Sequence, residues 1–180
     1  MVKCVVIFAG GKGSRIGNPE KMLLKICNKP IILMLIDSLS KYFRRIIIVT
    51  SKFHKNLIKL LKVHSKVDLI ILPARDYCED LCHIINIVRP RPLLMLPSDI
   101  VLRNVKRFFD IIRSVKSNVD IVTLSYIDGT PLGVSIVYSY RCVPGVELSW
   151  INLNVFTIDD VFDIDTLLDY EIAKRSIICE

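Results

Sequence analysis

Two kinds of run are missing from this 180-residue sequence: no apolar stretch is long enough to cross a bilayer as a helix, and no block of lysine and arginine reaches five. The first absence excludes a helical membrane span. The second weighs against nucleic acid as a partner despite a net charge of +7, because the aromatics are not interleaved with the cations as a base-stacking platform requires. No signal peptide is expected either, since Lys3 interrupts the apolar start and the stretch from Gly10 to Arg15 ends it, so a cytoplasmic location is expected. The six cysteines, at positions 4, 27, 78, 82, 142 and 179, form no C-x-x-C pair, which reads as small core residues of a reducing compartment. Cys78, Cys82 and His83 cluster, but a zinc site needs a fourth ligand. His54 and His64 stand isolated, with surface positions expected. No Ser-His or Cys-His pair suggests covalent catalysis.

What is present is concentrated at the start. Val2 to Phe8 is a short apolar run that empties into Ala9-Gly10-Gly11-Lys12-Gly13-Ser14-Arg15-Ile16-Gly17, where four glycines and two cations share nine positions. Glycines let a backbone turn its N–H groups onto a bound anion, and Lys12 and Arg15 add charge suited to a polyphosphate. Two better-known glycine motifs fail on spacing. A Walker loop places Lys and then Ser or Thr directly after its last glycine, whereas Gly13 is followed by Ser14 and Arg15. The dinucleotide fingerprint counted from Gly11 and Gly13 needs a third glycine where Ile16 stands.

With Lys21 added, the stretch resembles the signature of the MobA-like nucleotidyltransferase superfamily, A-G-G-x-G-(S/T)-R-(M/I/L)-G followed by a lysine. The resemblance implies that Ala9, Gly10 and Gly11 lie by the nucleoside and that the loop through Gly13 and Ser14 wraps the nucleotide. Lys12 and Arg15 would take the triphosphate and Lys21 the α-phosphate. Where the superfamily usually writes Pro-Lys, this chain has Pro19-Glu20-Lys21, a form similar to the archaeal adenosylcobinamide-phosphate guanylyltransferases.

Apolar runs at Arg45 to Thr50, Val67 to Leu72 and Leu93 to Leu96 alternate with helical patterns over residues 30–43, 57–63 and 77–88. Strands apolar on both faces between helices of about a dozen residues predict an α/β, Rossmann-like, mostly parallel sheet covered on both sides. At 180 residues a single domain spanning 1–180 is expected. The fourth run ends in Pro97-Ser98-Asp99, at the carboxyl end of a strand, where open α/β sheets place functional groups. Asp99 is read either as the cap of an amphipathic stretch over 101–115 or, by resemblance, as the principal Mg²⁺ ligand. Strands are expected at Val119 to Tyr126 and Gly133 to Tyr140, with turns at Asp128-Gly129-Thr130-Pro131 and Pro144-Gly145.

Three further segments carry the resemblance. Asp76 to Leu81 is similar to the Tyr-x-Glu-Asp-Leu of the cobinamide branch, in which Glu79 and Asp80 would accept hydrogen bonds from guanine; the bland account is a helix N-terminus rich in carboxylates. Pro131-Leu132-Gly133 is similar to a Pro-x-Gly element that places Gly133 at the acceptor, with Trp150 at that pocket or, more plainly, in the core or a dimer contact. Asp163-Ile164-Asp165-Thr166 resembles the closing motif, with Asp165 as second metal ligand and Asp163 beside it at the acceptor; Leu167-Leu168 stands where Pro-Glu is common.

The resemblance implies attack by an acceptor phosphate on the α-phosphorus of GTP, with Mg²⁺ as cofactor and adenosylcobinamide phosphate as the favoured acceptor. A molybdenum cofactor guanylyltransferase or a sugar-phosphate nucleotidyltransferase is the alternative enzyme, and a nucleotide-binding regulatory module the alternative outside catalysis. A homodimer is compatible with the sequence.

Overall fold

The computed structural model describes residues 2, 4–11, 16–73, 76–143 and 145–177. Lys12, Gly13, Ser14 and Arg15 therefore lie outside the described residues, as does Pro144.

The chain opens with β1 (Cys4–Ala9), a single 3₁₀ turn (Lys21–Leu23) and a small hairpin, β2 (Lys25–Ile26) and β3 (Lys29–Pro30). Three strand and helix alternations follow: α1 (Ile31–Ser40), β4 (Ile46–Ser51), α2 (Lys55–Leu61), β5 (Val67–Leu72), α3 (Tyr77–Ile87) and β6 (Leu93–Pro97). The second half holds β7 (Ile100–Leu102), α4 (Val105–Ser114), β8 (Ile121–Tyr126), β9 (Pro131–Val137), β10 (Trp150–Phe156), β11 (Val161–Asp163) and α5 (Leu167–Ser176).

Seven strands form one sheet in the order β10-β8-β9-β6-β1-β4-β5. The pairs β1 with β4, β1 with β6, β4 with β5 and β10 with β8 are parallel, and β9 runs antiparallel to both neighbours. Strand alternation sends Val5 and Ile7 to one face, against Leu35 and Leu39 of α1, Leu57 of α2 and Phe108 of α4. Cys4 and Val6 go to the other, against Ile84 and Ile85 of α3 and Val88 just after it. Both faces are covered, as the unbroken apolar strands predict.

A third, smaller core of Ile26, Ile31, Val101, Phe162, Ile164 and Ala173 joins the β2–β3 hairpin and α5 to the two-stranded β7–β11 pair. That pair corrects one expectation: Val101 and Leu102 belong to a strand, and the helix begins only at Val105, capped by the Asn104 side chain, which accepts from the Arg107 N–H. Asp99 thus caps no helix. Of the readings offered for Trp150, burial in the core is the one that fails. It is 65% exposed on the edge strand β10 rather than in the core. That strand carries Asn152 and Asn154, whose polar alternation hides its β-character.

The cysteines depart from the expected set of thiols. Cys82 of α3 and Cys142 are joined in a disulfide, and Cys27 is disulfide-bonded as well. The sulfurs of the first pair meet because Asn86, one turn along α3, accepts from the Cys142 N–H and donates to its carbonyl, both at 2.9 Å. Cys82 is thereby withdrawn from any zinc cluster with Cys78 and His83. Cys4 and Cys78 are free thiols, the first buried and the second exposed.

The link into β11 is fastened by Asp160. This carboxylate is 3% exposed, accepts from Thr157 N and Oγ1 at 3.0 and 2.9 Å, and pairs with Arg107 Nε at 2.8 Å. Removing one partner of a buried charge pair costs about 3–5 kcal/mol, and Arg107 is exposed enough to place this pair below that range. Asp160→Ala is expected to lower the melting temperature by several degrees, measured by thermal denaturation. An unchanged melting temperature would show that the turn does not hold β11.

Candidate functional site

The carboxyl ends of β1, β4 and β6 open into a cleft of about 830 Å³, whose wall includes Gly10, Gly11, Lys21, Asp80, Asp99 and Asp165. Parallel strands point their carboxyl ends to one rim of the sheet, so residues ninety positions apart in sequence meet there.

Three aspartates converge on the β6 side. Ligand oxygens of Asp99, Asp163 and Asp165 lie within 4.8 Å of one another. The cause is backbone pairing. In the β7–β11 ladder Asp163 stands opposite Ile100, and one residue further on the Ile164 N–H donates to the Asp99 carbonyl at 3.0 Å. Ile164 is fully buried, so its neighbours on either side are turned away from the small core and toward Asp99. Tyr126 fixes the end of β11: its hydroxyl donates to the Val161 carbonyl and accepts from the Asp163 N–H, each at 3.1 Å. Burial, above all, pushes the Tyr126 phenol up to about 12, so it keeps its proton at neutral pH.

Lys21 is the cation set against this cluster. Its Nζ pairs with Asp99, bonds Asp165 Oδ1 at 3.0 Å and donates to the Ile164 carbonyl at 3.2 Å. Met22, 2% exposed, anchors the 3₁₀ turn and so fixes the root of the Lys21 side chain. Burial acts to lower the Lys21 pKa, but Asp99 and Asp165 outweigh it and the net shift is upward. Asp163 is left without such a partner in its favour. Burial, followed by the charges of Asp99 and Asp165, pushes its carboxyl up to about 7, with Lys21 only partly opposing.

The donor set suits a hard divalent cation. Three carboxylates at one point offer oxygen ligands, and Mg²⁺ or Mn²⁺ completes its octahedron with waters and phosphate oxygens. No thiol or imidazole is in the set, which disfavours zinc or copper.

The remaining sequence-stated residues fall as follows. Ala9 ends β1 at 1% exposure, and Gly10 and Gly11 line the cleft. Asp80 is on the cleft wall, while Glu79 is exposed; the N-cap of α3 is Asp76, whose side chain accepts from the Cys78 N–H at 2.7 Å. Gly133 lines the cleft with φ +71°, a conformation that favours glycine, and a Cβ there would meet the Pro97 ring at 3.4 Å. Asp163 is gathered with the other two aspartates. The missing Pro-Glu after Thr166 leaves helix α5 properly started, because Thr166 and Asp169 form a reciprocal capping box.

Two roles at the cleft escaped the sequence: the burial of His54, and the contacts of Glu20, a residue the sequence marked only as a sign of resemblance beside Lys21. His54, expected at the surface, is 3% exposed and lines the cleft. Its signal was available in the hydroxyls of Thr50 and Ser51, four and three positions earlier at a strand end. Glu20 is the other: it accepts from Asn56 Nδ2 at 2.7 Å and from the Leu57 N–H at 3.0 Å, tying the segment before Lys21 to the start of α2.

Residues 5–152 match a family model described as the MobA-like NTP transferase domain. The adenosylcobinamide-phosphate guanylyltransferase of Methanocaldococcus jannaschii is 32% identical over 101 residues, which is 53% of this chain and 51% of that protein. The aligned region thus spans about half the length of this curated relative. Among solved structures, HddC from Yersinia pseudotuberculosis complexed with GMP-PN aligns with a TM-score of 0.76 at 18% identity, covering 97% of this chain and 99% of that one. The CTP:phosphocholine cytidylyltransferase LicC of Streptococcus pneumoniae aligns with a TM-score of 0.67 at 15% identity, covering 97% and 99%. At such identities the likeness shows a shared fold.

The shifted Asp163 carries a pH signature. Its folded pKa, about 7, lies above the 3.8 of a free carboxyl, so the folded state holds a proton that the unfolded chain has released between those values. The stability this group contributes is fully present below about pH 4 and is lost as pH rises through 7. In metal-free protein, Asp163→Asn is expected to gain melting temperature relative to wild type between pH 5 and pH 8. Parallel wild-type and variant curves across that window would place the Asp163 pKa elsewhere.

Proposed function

The chain belongs to the MobA-like NTP transferase family, and we propose that it transfers GMP from GTP to adenosylcobinamide phosphate with release of pyrophosphate. The observation that carries this reading is the meeting of Lys21 with Asp99, Asp163 and Asp165 at the rim that also bears Gly10 and Gly11. The acceptor and the base are supported by the resemblance of Glu20-Lys21, Tyr77 to Leu81 and Ser98-Asp99, and by the relative of that activity that aligns over about half its length.

An oxygen of the acceptor phosphate forms a bond to the α-phosphorus of GTP while the bond from that phosphorus to the α–β bridging oxygen breaks, and pyrophosphate leaves with the electron pair. A phosphate monoester, with its second pKa near ~6, is largely dianionic at neutral pH and needs no protein base. The residues therefore position and neutralise. Lys12 and Arg15 hold the β and γ phosphates, the backbone of Ala9 to Gly11 borders the nucleoside, and Gly13 and Ser14 complete the loop. Asp99 and Asp165 would hold a divalent cation, taken as Mg²⁺, with Asp163 beside them. Bound there, such a cation would supply positive charge against the phosphate oxygens. Lys21, released from the carboxylates, turns to the α-phosphate. Asp80, on the cleft wall, accepts from guanine N1 and N2, and Gly133 leaves room for the acceptor. We place the reaction in the cytoplasm.

Pyrophosphate release with each NTP and Mg²⁺, in separate reactions with adenosylcobinamide phosphate, molybdopterin and sugar 1-phosphates, tests the proposal. Turnover is expected with GTP and adenosylcobinamide phosphate, and much less with ATP. Turnover confined to another acceptor would overturn the assignment within the family. Asp99→Asn and Asp165→Asn are each expected to abolish most turnover while nucleotide binding without metal persists; a near wild-type rate in Asp99→Asn would remove it from the metal. Lys12→Ala and Arg15→Ala are expected to weaken GTP binding by ~1.5–3 kcal/mol each in calorimetric titration, with folding nearly unaffected.

A further inference from the structure

The reaction as proposed gives His54 no task, yet the ring is buried in the wall of the nucleotide cleft. Its placement follows from Glu20. His54 is the N-cap residue of α2 but makes no capping bond with its side chain, and histidine is not a favoured cap. Glu20 supplies that function from outside the helix by accepting from the Leu57 N–H and Asn56 Nδ2. The imidazole is left to turn back onto the end of β4, where Nδ1 lies 3.1 Å from Thr50 Oγ1 and 3.0 Å from Ser51 Oγ.

The hydrogen-bond network assigns the tautomer. Thr50 has one hydroxyl proton, and it goes to the Ala9 carbonyl at 2.8 Å. Thr50 Oγ1 can therefore only accept from His54, so Nδ1 carries a proton, and Nε2 is the ring nitrogen left for a ligand. The opposite tautomer would set two lone pairs against each other at 3.1 Å. Nε2 has no hydrogen-bond partner among the described residues, and it is not among their enclosed unsatisfied atoms, so it opens to the cleft.

The same stretch of wall carries the rings of Phe53 and Tyr77, 68% and 57% exposed, apolar faces suited to a flat heterocycle. Through Thr50 the histidine is also tied to Ala9, the last residue of β1. We propose that His54 is a nucleoside-binding residue whose Nε2 hydrogen-bonds a ribose hydroxyl or the guanine 2-amino group. The proposal rests on the nucleotide-binding part of the proposed function and is independent of the acceptor.

Calorimetric titration with GTP and Mg²⁺ tests it in wild type, His54→Asn and His54→Gln, with melting temperatures recorded for each. Asn reaches the Nδ1 position only, where its amide N–H can still donate to Thr50, whereas Gln places its amide at the Nε2 position. His54→Asn is expected to bind GTP about tenfold more weakly at nearly unchanged melting temperature, and His54→Gln to recover most of the loss. Repeating the titrations with 2′-deoxy-GTP, 3′-deoxy-GTP and inosine triphosphate identifies the partner group: the analogue lacking it binds wild type and His54→Asn equally. Wild-type GTP affinity in His54→Asn overturns the proposal alone, whereas no GTP binding by wild type overturns it together with the proposed function. Should both variants fail to fold, nitrogen-15 resonances of histidine-labelled wild type give the answer: the His54 Nε2 signal is expected to shift on adding GTP, and an unmoved signal overturns the proposal.

Discussion

The antiparallel pairing of β7 with β11 is the constraint from which the candidate site follows. It brings a segment beginning at Val161 against one ending at Leu102 and closes on the bond from the Ile164 N–H to the Asp99 carbonyl. Three carboxylates are thereby drawn into one place, which no isolated strand end or loop would accomplish. The supports of this ladder lie elsewhere in the chain. Ile164 is sunk in the small core with Ala173 of α5, Tyr126 of β8 bonds both ends of β11, and Asp160 ties the preceding turn to Arg107 of α4.

Gathering like charges has a cost, visible in the raised Asp163 carboxyl, and Lys21 is the element that offsets it. In the state described here the lysine satisfies Asp99 and Asp165 together. A divalent cation brought in with a nucleotide would take over that task and leave the ammonium beside an incoming phosphate. The same side chain thus stabilises the empty carboxylate cluster and is stationed where the α-phosphorus is proposed to lie. On the opposite wall, Glu20, the residue before it, sets the start of α2 and with it His54, so adjacent positions of one turn organise both halves of the cleft.

Much of this was legible in the chain. Unbroken apolar strands alternating with helices specified a mostly parallel, doubly covered sheet, and that is the sheet found. The glycine and lysine signature, Asp99 and Asp165 were identified by resemblance, and Lys21, Asp99 and Asp165 do meet. What escaped notice depended on tertiary pairing. β7 and β11 are three residues each and acquire strand character only from one another. β10 alternates asparagines with apolar residues and is held by β8. His54 looked solitary because its partners are hydroxyls, and because the carboxylate that relieves it of capping comes from thirty-four residues earlier. The Cys82–Cys142 disulfide bridges sixty positions with no spacing motif to announce it.

The central claim is that the cluster at the end of β6 exchanges Lys21 for a divalent cation when nucleotide is bound. A crystal structure of the protein with Mn²⁺ and a non-hydrolysable GTP analogue tests it most directly, because the manganese position is identified by its anomalous scattering. The account predicts manganese bonded to Asp99 and Asp165, with Lys21 Nζ moved onto an α-phosphate oxygen. Manganese bound elsewhere, with Lys21 still paired to both aspartates, would contradict it.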